Sequence, residues 1–180
     1  MANAPTNDAP MRRVLVVGNA GAGKSTFARQ LGSKLALPII HMDSHFWGPG
    51  WQIPDAKAWR EMLSALAASS AWVMDGNYIN TFDIRMPRAD TLVWLDLSRG
   101  ICMRRVIVRT IIGYGRTRSD LAKGCPDRFD VDFLRYVWNF PRNQRPRVAA
   151  AIAQFGSHLR VTRFGCDRDA ENFLAALGAH

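Results

Sequence analysis

Short apolar runs and helical spacings alternate along this chain. Runs rich in Val, Ile, Leu and Trp lie at 12–17 (RRVLVV), 38–42 (PIIHM), 71–74 (AWVM), 91–97 (TLVWLDL) and 159–164 (LRVTRF). Apolar stretches of this length, closed by glycine, proline or charge, predict strands buried on both faces. Between them apolar residues fall three and four apart. Phe27, Ala28, Leu31 and Leu35 mark a helix over 24–35; Trp59, Met62, Leu63 and Leu66 mark another, capped by Asp55 and running to about 69. Ser98 is placed to cap a helix ending near 112. Helical spacing returns over 131–140, where Pro141 stops it, then over 142–155 and 167–177. Residues 43–54 and 113–130 show no period, are punctuated by glycine and proline, and read as irregular loops. Trp94 and Trp138 read as core.

Strands alternating with helices predict a three-layer α/β fold, a five-stranded parallel sheet with helices on both faces. A disordered polar tail is expected over 1–10 and a single domain over 11–180. The longest uncharged stretch, 62–74, contains three serines and falls short of the about 20 apolar residues of a membrane-spanning helix. The first ten residues have neither a cationic start nor an apolar run, so no secretory signal is expected. Cys102, Cys125 and Cys166 stand far apart without a CxxC pair and read as reduced thiols of a cytoplasmic protein.

Charge sharpens the picture. The formal net charge is +9, and 20 of the 24 basic residues are Arg. From Arg99 to Arg147 there are eleven Arg and one Lys against four Asp, net +8. The guanidinium fork matches phosphate oxygens in pairs, so the cluster points to a phosphate-rich ligand or to nucleic acid.

The decisive motif is Gly18-Asn19-Ala20-Gly21-Ala22-Gly23-Lys24-Ser25-Thr26, a GxxxxGK[ST] sequence between a predicted strand and a predicted helix. Glycines let the backbone turn its N–H groups toward phosphate, and the helix N-terminus adds a positive dipole. Lys24 is expected on the β- and γ-phosphates, and the Ser25 hydroxyl on Mg²⁺. The expected ligands are therefore ATP, or less specifically a purine triphosphate, with Mg²⁺. The chain has only two glutamates, Glu61 and Glu171, no Asp-Glu pair after a strand, and neither NKxD nor DxxG. Those absences argue for phosphoryl transfer to an acceptor over dedicated ATP or GTP hydrolysis. Asp43 and Asp75 end the second and third strands, where ligands gather in sheets of this type. Asp75 is expected to hold Mg²⁺ through water, or else to form a turn; Asp43 to orient or deprotonate an acceptor hydroxyl, or else to cap a helix. Asp96, ending the fourth strand, reads as a solvated or capping residue. His41 and His45 flank Asp43 without a third metal ligand at useful spacing.

Three segments carry a family resemblance: LPIIHMDSHFWGPGWQIP, WVMDGNYINTFDIRMPRADTLVWLDL and GYGRTRSDLAKGCPDRFDVDFLRYVWNFPRNQRP. Over about residues 11–165 the chain resembles the bacterial DNA topology modulation protein family, small P-loop proteins similar in pattern to adenylate kinase. The resemblance implies an adenylate- or shikimate-kinase-like P-loop NTPase fold, with an acceptor-binding segment at about 43–70 and a mobile lid at about 112–130. It implies that Trp47, Asn77 and Tyr78 lie at the acceptor and that Arg85 holds an acceptor phosphate. Arg105, Arg109, Arg116 and Arg118 would act as lid arginines on the transferring group, with Arg142 and Arg145 following the lid. The loop Phe164-Gly165-Cys166-Asp167-Arg168 matches the adenine position of related kinases. Two alternatives stay open: the arginines as a solvated face, and Phe46, Trp47 and Trp51 as a minor core under a loop. The expected function is Mg²⁺-dependent transfer of the γ-phosphate from ATP to a small acceptor, a nucleoside monophosphate or another small metabolite, by a monomer or homodimer. The competing expectation is nucleotide-dependent DNA binding through residues 99–147.

Overall fold

The computed structural model describes residues 10–117 and 120–177. Five strands, β1 (Arg13–Gly18), β2 (Ile39–His41), β3 (Trp72–Asp75), β4 (Thr91–Leu95) and β5 (Arg160–Phe164), form one parallel sheet in the order β2-β3-β1-β4-β5. β1 lies at its centre because its side chains are apolar on both faces, and alternate residues go to opposite layers. Val14 and Val16 meet Phe27 and Leu31 of α1 (Lys24–Leu35), Cys102 and Val106 of α5 (Arg99–Gly113), and Leu174 of α8 (Asp167–Ala176). Leu15 and Val17 meet Trp59 and Leu63 of α3 (Ala56–Ala67), Phe82 of α4 (Phe82–Arg85) and Val148 of α7 (Arg145–Phe155). Val14, Leu15, Val16 and Val17 are fully buried, each stabilising the fold by about 1.5–3 kcal/mol. Trp94 is core as expected.

The caps read from the sequence are in place. Asp55 Oδ1 accepts from the backbone N–H groups of Lys57 and Ala58 at 3.0 Å, and Ser98 Oγ from that of Ile101 at 3.4 Å. Three expectations need correction. The segment after β2 begins not as a loop but as α2 (Met42–Phe46), anchored by fully buried Met42 and by Ser44 Oγ donating to His41 O at 2.7 Å. α6 (Val131–Asn143) does not stop at Pro141 but runs through it, because the carbonyl that proline deprives of its helical donor is met from outside the helix. Trp138 is not core; it is 46% exposed, with the Arg99 guanidinium 4.2 Å over its ring, a cation–π contact that suits a surface indole. Among the described residues no helix is long and apolar enough to cross a membrane.

Candidate active site

The chain leaves β1 at Gly18 and enters α1 at Lys24, so the glycine-rich motif bridges a strand end and a helix N-terminus. Gly21 has φ 80°, and a Cβ there would lie 2.4 Å from the Cys102 carbonyl oxygen; only glycine lets the loop rest on the start of α5. A Cβ on Gly23 would meet nothing within 4 Å, so the cradle is open on that side. Ala22, 2% exposed, seals the loop against the core, and its N–H donates to Asn19 O at 3.1 Å; Ala20 packs partly buried beside it. Lys24 Nζ donates to the same Asn19 oxygen at 3.0 Å. Burial lowers the Lys24 pKa, Asp43 and Asp75 oppose that, and Arg109 adds to it. Ser25 is partly buried on the first turn of α1, whereas Thr26 is exposed and accepts from Arg29 Nη2 at 3.3 Å. The Asn19 side chain turns away from the cradle, toward α6.

Lys24 is thus in the electrostatic reach of both carboxylates singled out in the sequence, and of Arg109. Asp43 lies in the first turn of α2, where Tyr78 Oη donates to its Oδ1 at 2.6 Å. Burial beside Asp43 pushes the Tyr78 phenol far above its usual pKa, so it remains a donor. Asp75 is 4% exposed at the end of β3, with His41 Nδ1 2.6 Å from its Oδ1. The two residues are register partners at the ends of parallel β2 and β3. The Asp75 hydrogen bond raises the His41 pKa, with a further push from Asp120 in the loop after α5. A raised folded-state pKa stabilises the fold fully below the ordinary value of 6.5, and the contribution disappears as pH rises through the raised value. Wild type is therefore expected to lose thermal stability above pH 6.5 more steeply than His41→Asn, measured by melting curves across that range.

Asn77 and Arg85 are occupied by the backbone. Gly18 N donates to Asn77 Oδ1 at 3.0 Å, and Asn77 Nδ2 donates to Gly18 O at 2.8 Å and to Tyr136 Oη at 3.3 Å. Arg85, expected at an acceptor phosphate, is instead fully buried. Its Nε donates to Thr81 Oγ1 at 3.1 Å, Nη1 to Gly76 O at 3.1 Å, and Nη2 to Tyr78 O at 3.2 Å and to Asn77 O. Burial pulls its pKa down to about 9, so it is still a cation at neutral pH. The carbonyls point inward because the chain turns sharply after Asp75: Gly76 has φ 133° and Tyr78 φ 36°. Arg85 holds that turn, and the turn delivers Tyr78 to Asp43.

The remaining arginines divide. Arg105 makes a two-pronged pair with Asp167, at 3.0 and 2.7 Å, tying α5 to the start of α8. Arg145 donates to Asp96 Oδ1 at 3.0 Å through Nε, while Arg163 binds the other carboxylate oxygen. Asp96 is therefore not solvated; its side chain is 4% exposed between two guanidinium groups. Arg109 lies near Lys24, and Arg116 and Arg142 are exposed. Arg118 lies outside the described residues.

A cleft of about 370 Å³ opens beside Tyr78, lined by Phe46, Trp59, Arg60, Asn80, Tyr136 and Arg147 among others. No motif marks Arg60, Asn80 or Tyr136 in the sequence, and Arg147 stands out there only as the end of the basic cluster. Arg147 donates to Asn80 Oδ1 at 2.9 Å and Gln144 Oε1 at 3.2 Å; among the described residues no carboxylate pairs with it. Arg60, by contrast, is paired with Asp83. Phe46 packs on Trp47, Trp59 and Tyr78 with ring centroids 4.9, 5.0 and 4.7 Å apart, so Trp47 joins an aromatic cluster behind the cleft wall. The loop between α5 and α6 rests on this segment: Gly50 N donates to Gly124 O at 2.9 Å, Cys125 Sγ to Gly48 O at 3.2 Å, and Arg128 lies 5.9 Å over Trp51.

Solved structures share this arrangement of sheet, loop and helices. Shikimate kinase from Bacteroides thetaiotaomicron matches with a TM-score of 0.55 at 19% identity, over 93% of this chain and 97% of its own. Shikimate kinase from Acinetobacter baumannii, in complex with shikimate, matches with a TM-score of 0.56 at 17% identity, over 93% of each chain. The fold is that of a P-loop kinase. No protein-family model and no curated protein matches the chain, so the likeness to topology modulation proteins stays with the motifs quoted above. At these identities the P-loop kinase neighbours speak to the fold alone.

Proposed function

We propose that this protein is an ATP-dependent phosphotransferase acting on a small anionic, hydroxylated acceptor bound in the cleft beside Tyr78. The observation that carries this reading is the convergence of Lys24, Asp43 and Asp75, joined to that cleft by the hydrogen bond from Tyr78 in its wall to Asp43. The open cradle fits a triphosphate, and backbone N–H groups with Lys24 would hold its β- and γ-phosphates. Ser25 and Asp75 supply hard oxygen donors that suit Mg²⁺. Among the described residues no group of three or more His, Cys, Asp or Glu could hold a metal ion alone. Mg²⁺, when bound, neutralises charge on the phosphates.

Tyr78 engages Asp43 Oδ1 and leaves Oδ2 to accept the proton of an acceptor hydroxyl as the hydroxyl oxygen attacks the γ-phosphorus, the bond to the β–γ bridging oxygen breaks and ADP leaves. Arg147, which no carboxylate among the described residues meets, would hold an anionic group on the acceptor, and Phe46, Trp59 and Tyr136 would flank its body. Arg109 and the lid arginines Arg116 and Arg118 would balance charge on the moving phosphoryl group. The acceptor class includes nucleoside monophosphates and hydroxylated carboxylates such as the shikimate bound by the A. baumannii enzyme.

A panel of such acceptors with γ-labelled ATP tests the reading. Transfer is expected to one chemical class, falling about 10²–10⁴-fold in Asp43→Asn, the usual contribution of a general base. Arg147→Ala is expected to raise KM for the acceptor while leaving KM for ATP unchanged. Absence of transfer to every acceptor, with Lys24→Ala indistinguishable from wild type, would overturn it.

A further inference from the structure

An unusual contact joins the phosphate loop to the helix that follows the lid. Pro141 sits inside α6 and has no N–H, so the carbonyl four residues earlier, Val137, lacks its helical donor. Asn19 supplies one. Its Nδ2 donates to Val137 O at 2.8 Å, from 118 residues away in the chain. Asn19 is 3% exposed and Val137 fully buried, so the bond is shielded from water. One residue earlier in α6, the Tyr136 hydroxyl accepts from Asn77, whose amide also holds both backbone groups of Gly18. α6 therefore grips the two consecutive residues, Gly18 and Asn19, at which the phosphate loop leaves β1. The backbone oxygen of Asn19 in turn accepts from Lys24 Nζ and Ala22 N–H, so the shape of the cradle depends on where Asn19 sits.

We infer that Asn19 is a positioning residue for ATP binding: the carbonyl released by Pro141 captures its side chain and fixes the phosphate loop to the post-lid helix. Its consequence for ATP rests on the phosphotransfer reading; the contact itself does not. Proline then has opposite effects on fold and site. Alanine at 141 is the better helix former and offers an N–H to Val137 O. That bond would draw the carbonyl back along the helix axis, away from Asn19. The helix would gain and the loop would lose its tether.

The test is calorimetric titration of Mg-ATP, with thermal unfolding, on wild type, Asn19→Ala, Pro141→Ala and the double variant. Asn19→Ala is expected to weaken ATP binding about tenfold, the size of one buried hydrogen bond. Pro141→Ala is expected to weaken it several-fold while its Tm stays level or rises, a combination that a purely structural proline would not give. The double variant is expected to bind no more weakly than Asn19→Ala, since both changes remove one contact. Without nucleotide, backbone amides over 18–26 are expected to exchange hydrogen faster in both single variants. Wild-type ATP affinity and loop exchange in Pro141→Ala would overturn the inference, as would losses that multiply in the double variant. Should Asn19→Ala fail to fold, Pro141→Ala decides by the same readouts. If wild type itself gives no heat with Mg-ATP, the phosphotransfer reading falls, and the exchange comparison still decides whether Pro141 governs the loop through Asn19.

Discussion

Replacing Lys24 by methionine is expected to reduce phosphoryl transfer by at least about 10²–10³-fold, the effect of removing one preorganised charge donor, while leaving thermal stability level or raising it. Both halves follow from the same burial. Desolvation lowers the pKa of this partly buried ammonium, so the fold carries a cation with part of its hydration removed. Methionine keeps the apolar stem without that penalty. The neighbouring carboxylates are not stranded, since Asp75 keeps His41 and Asp43 keeps Tyr78. Transfer of label from γ-labelled ATP and a melting curve on the same variant check the two halves. A variant that loses both activity and Tm would place Lys24 among the supports of the fold and not at the phosphates.

Much of the fold was legible because its signals are local. Apolar runs, the Asp55 and Ser98 caps and GxxxxGK[ST] are each read within a few residues, and the sheet, the caps and the start of α1 at Lys24 appear where those signals put them. What was not legible depends on pairing between distant segments. His41 looked like an incomplete metal ligand. The usable signal was that it ends its strand as Asp75 does, and in parallel neighbours two strand ends meet in register. Asp96 looked solvated because Arg145 and Arg163 come to it from 49 and 67 residues away. The end of α6 was misread because the rule for proline counts donors within the helix, whereas the replacement donor belongs to the phosphate loop. The two glycine- and proline-rich motifs, WGPGW and GCP, were read as separate loops and are joined backbone to backbone at Gly50 and Gly124.

Arg85 gives the sharpest contrast between a sequence analogy and the geometry. As an acceptor-phosphate ligand it would be dispensable for folding, and its loss would raise KM for the acceptor at constant Tm. In the structure its guanidinium is fully buried and bonded to three carbonyls and one hydroxyl. Arg85→Met is expected to destabilise the protein by about 3–5 kcal/mol, the range for breaking a buried charged network. Each orphaned carbonyl contributes roughly 1–3 kcal/mol to that loss. For a chain of this size the expected fall in Tm is of the order of 10 °C or more. Arg85→Lys is expected to recover little, because one ammonium cannot span four acceptors that a planar fork reaches together. Activity should fall in step with stability and return on cooling, since Tyr78 loses its hold on Asp43 only as the turn loosens. A cold-active Arg85→Met with wild-type Tm and a raised acceptor KM would return the residue to the acceptor site. It would then require the cleft to rearrange far enough to expose a side chain that now touches no solvent.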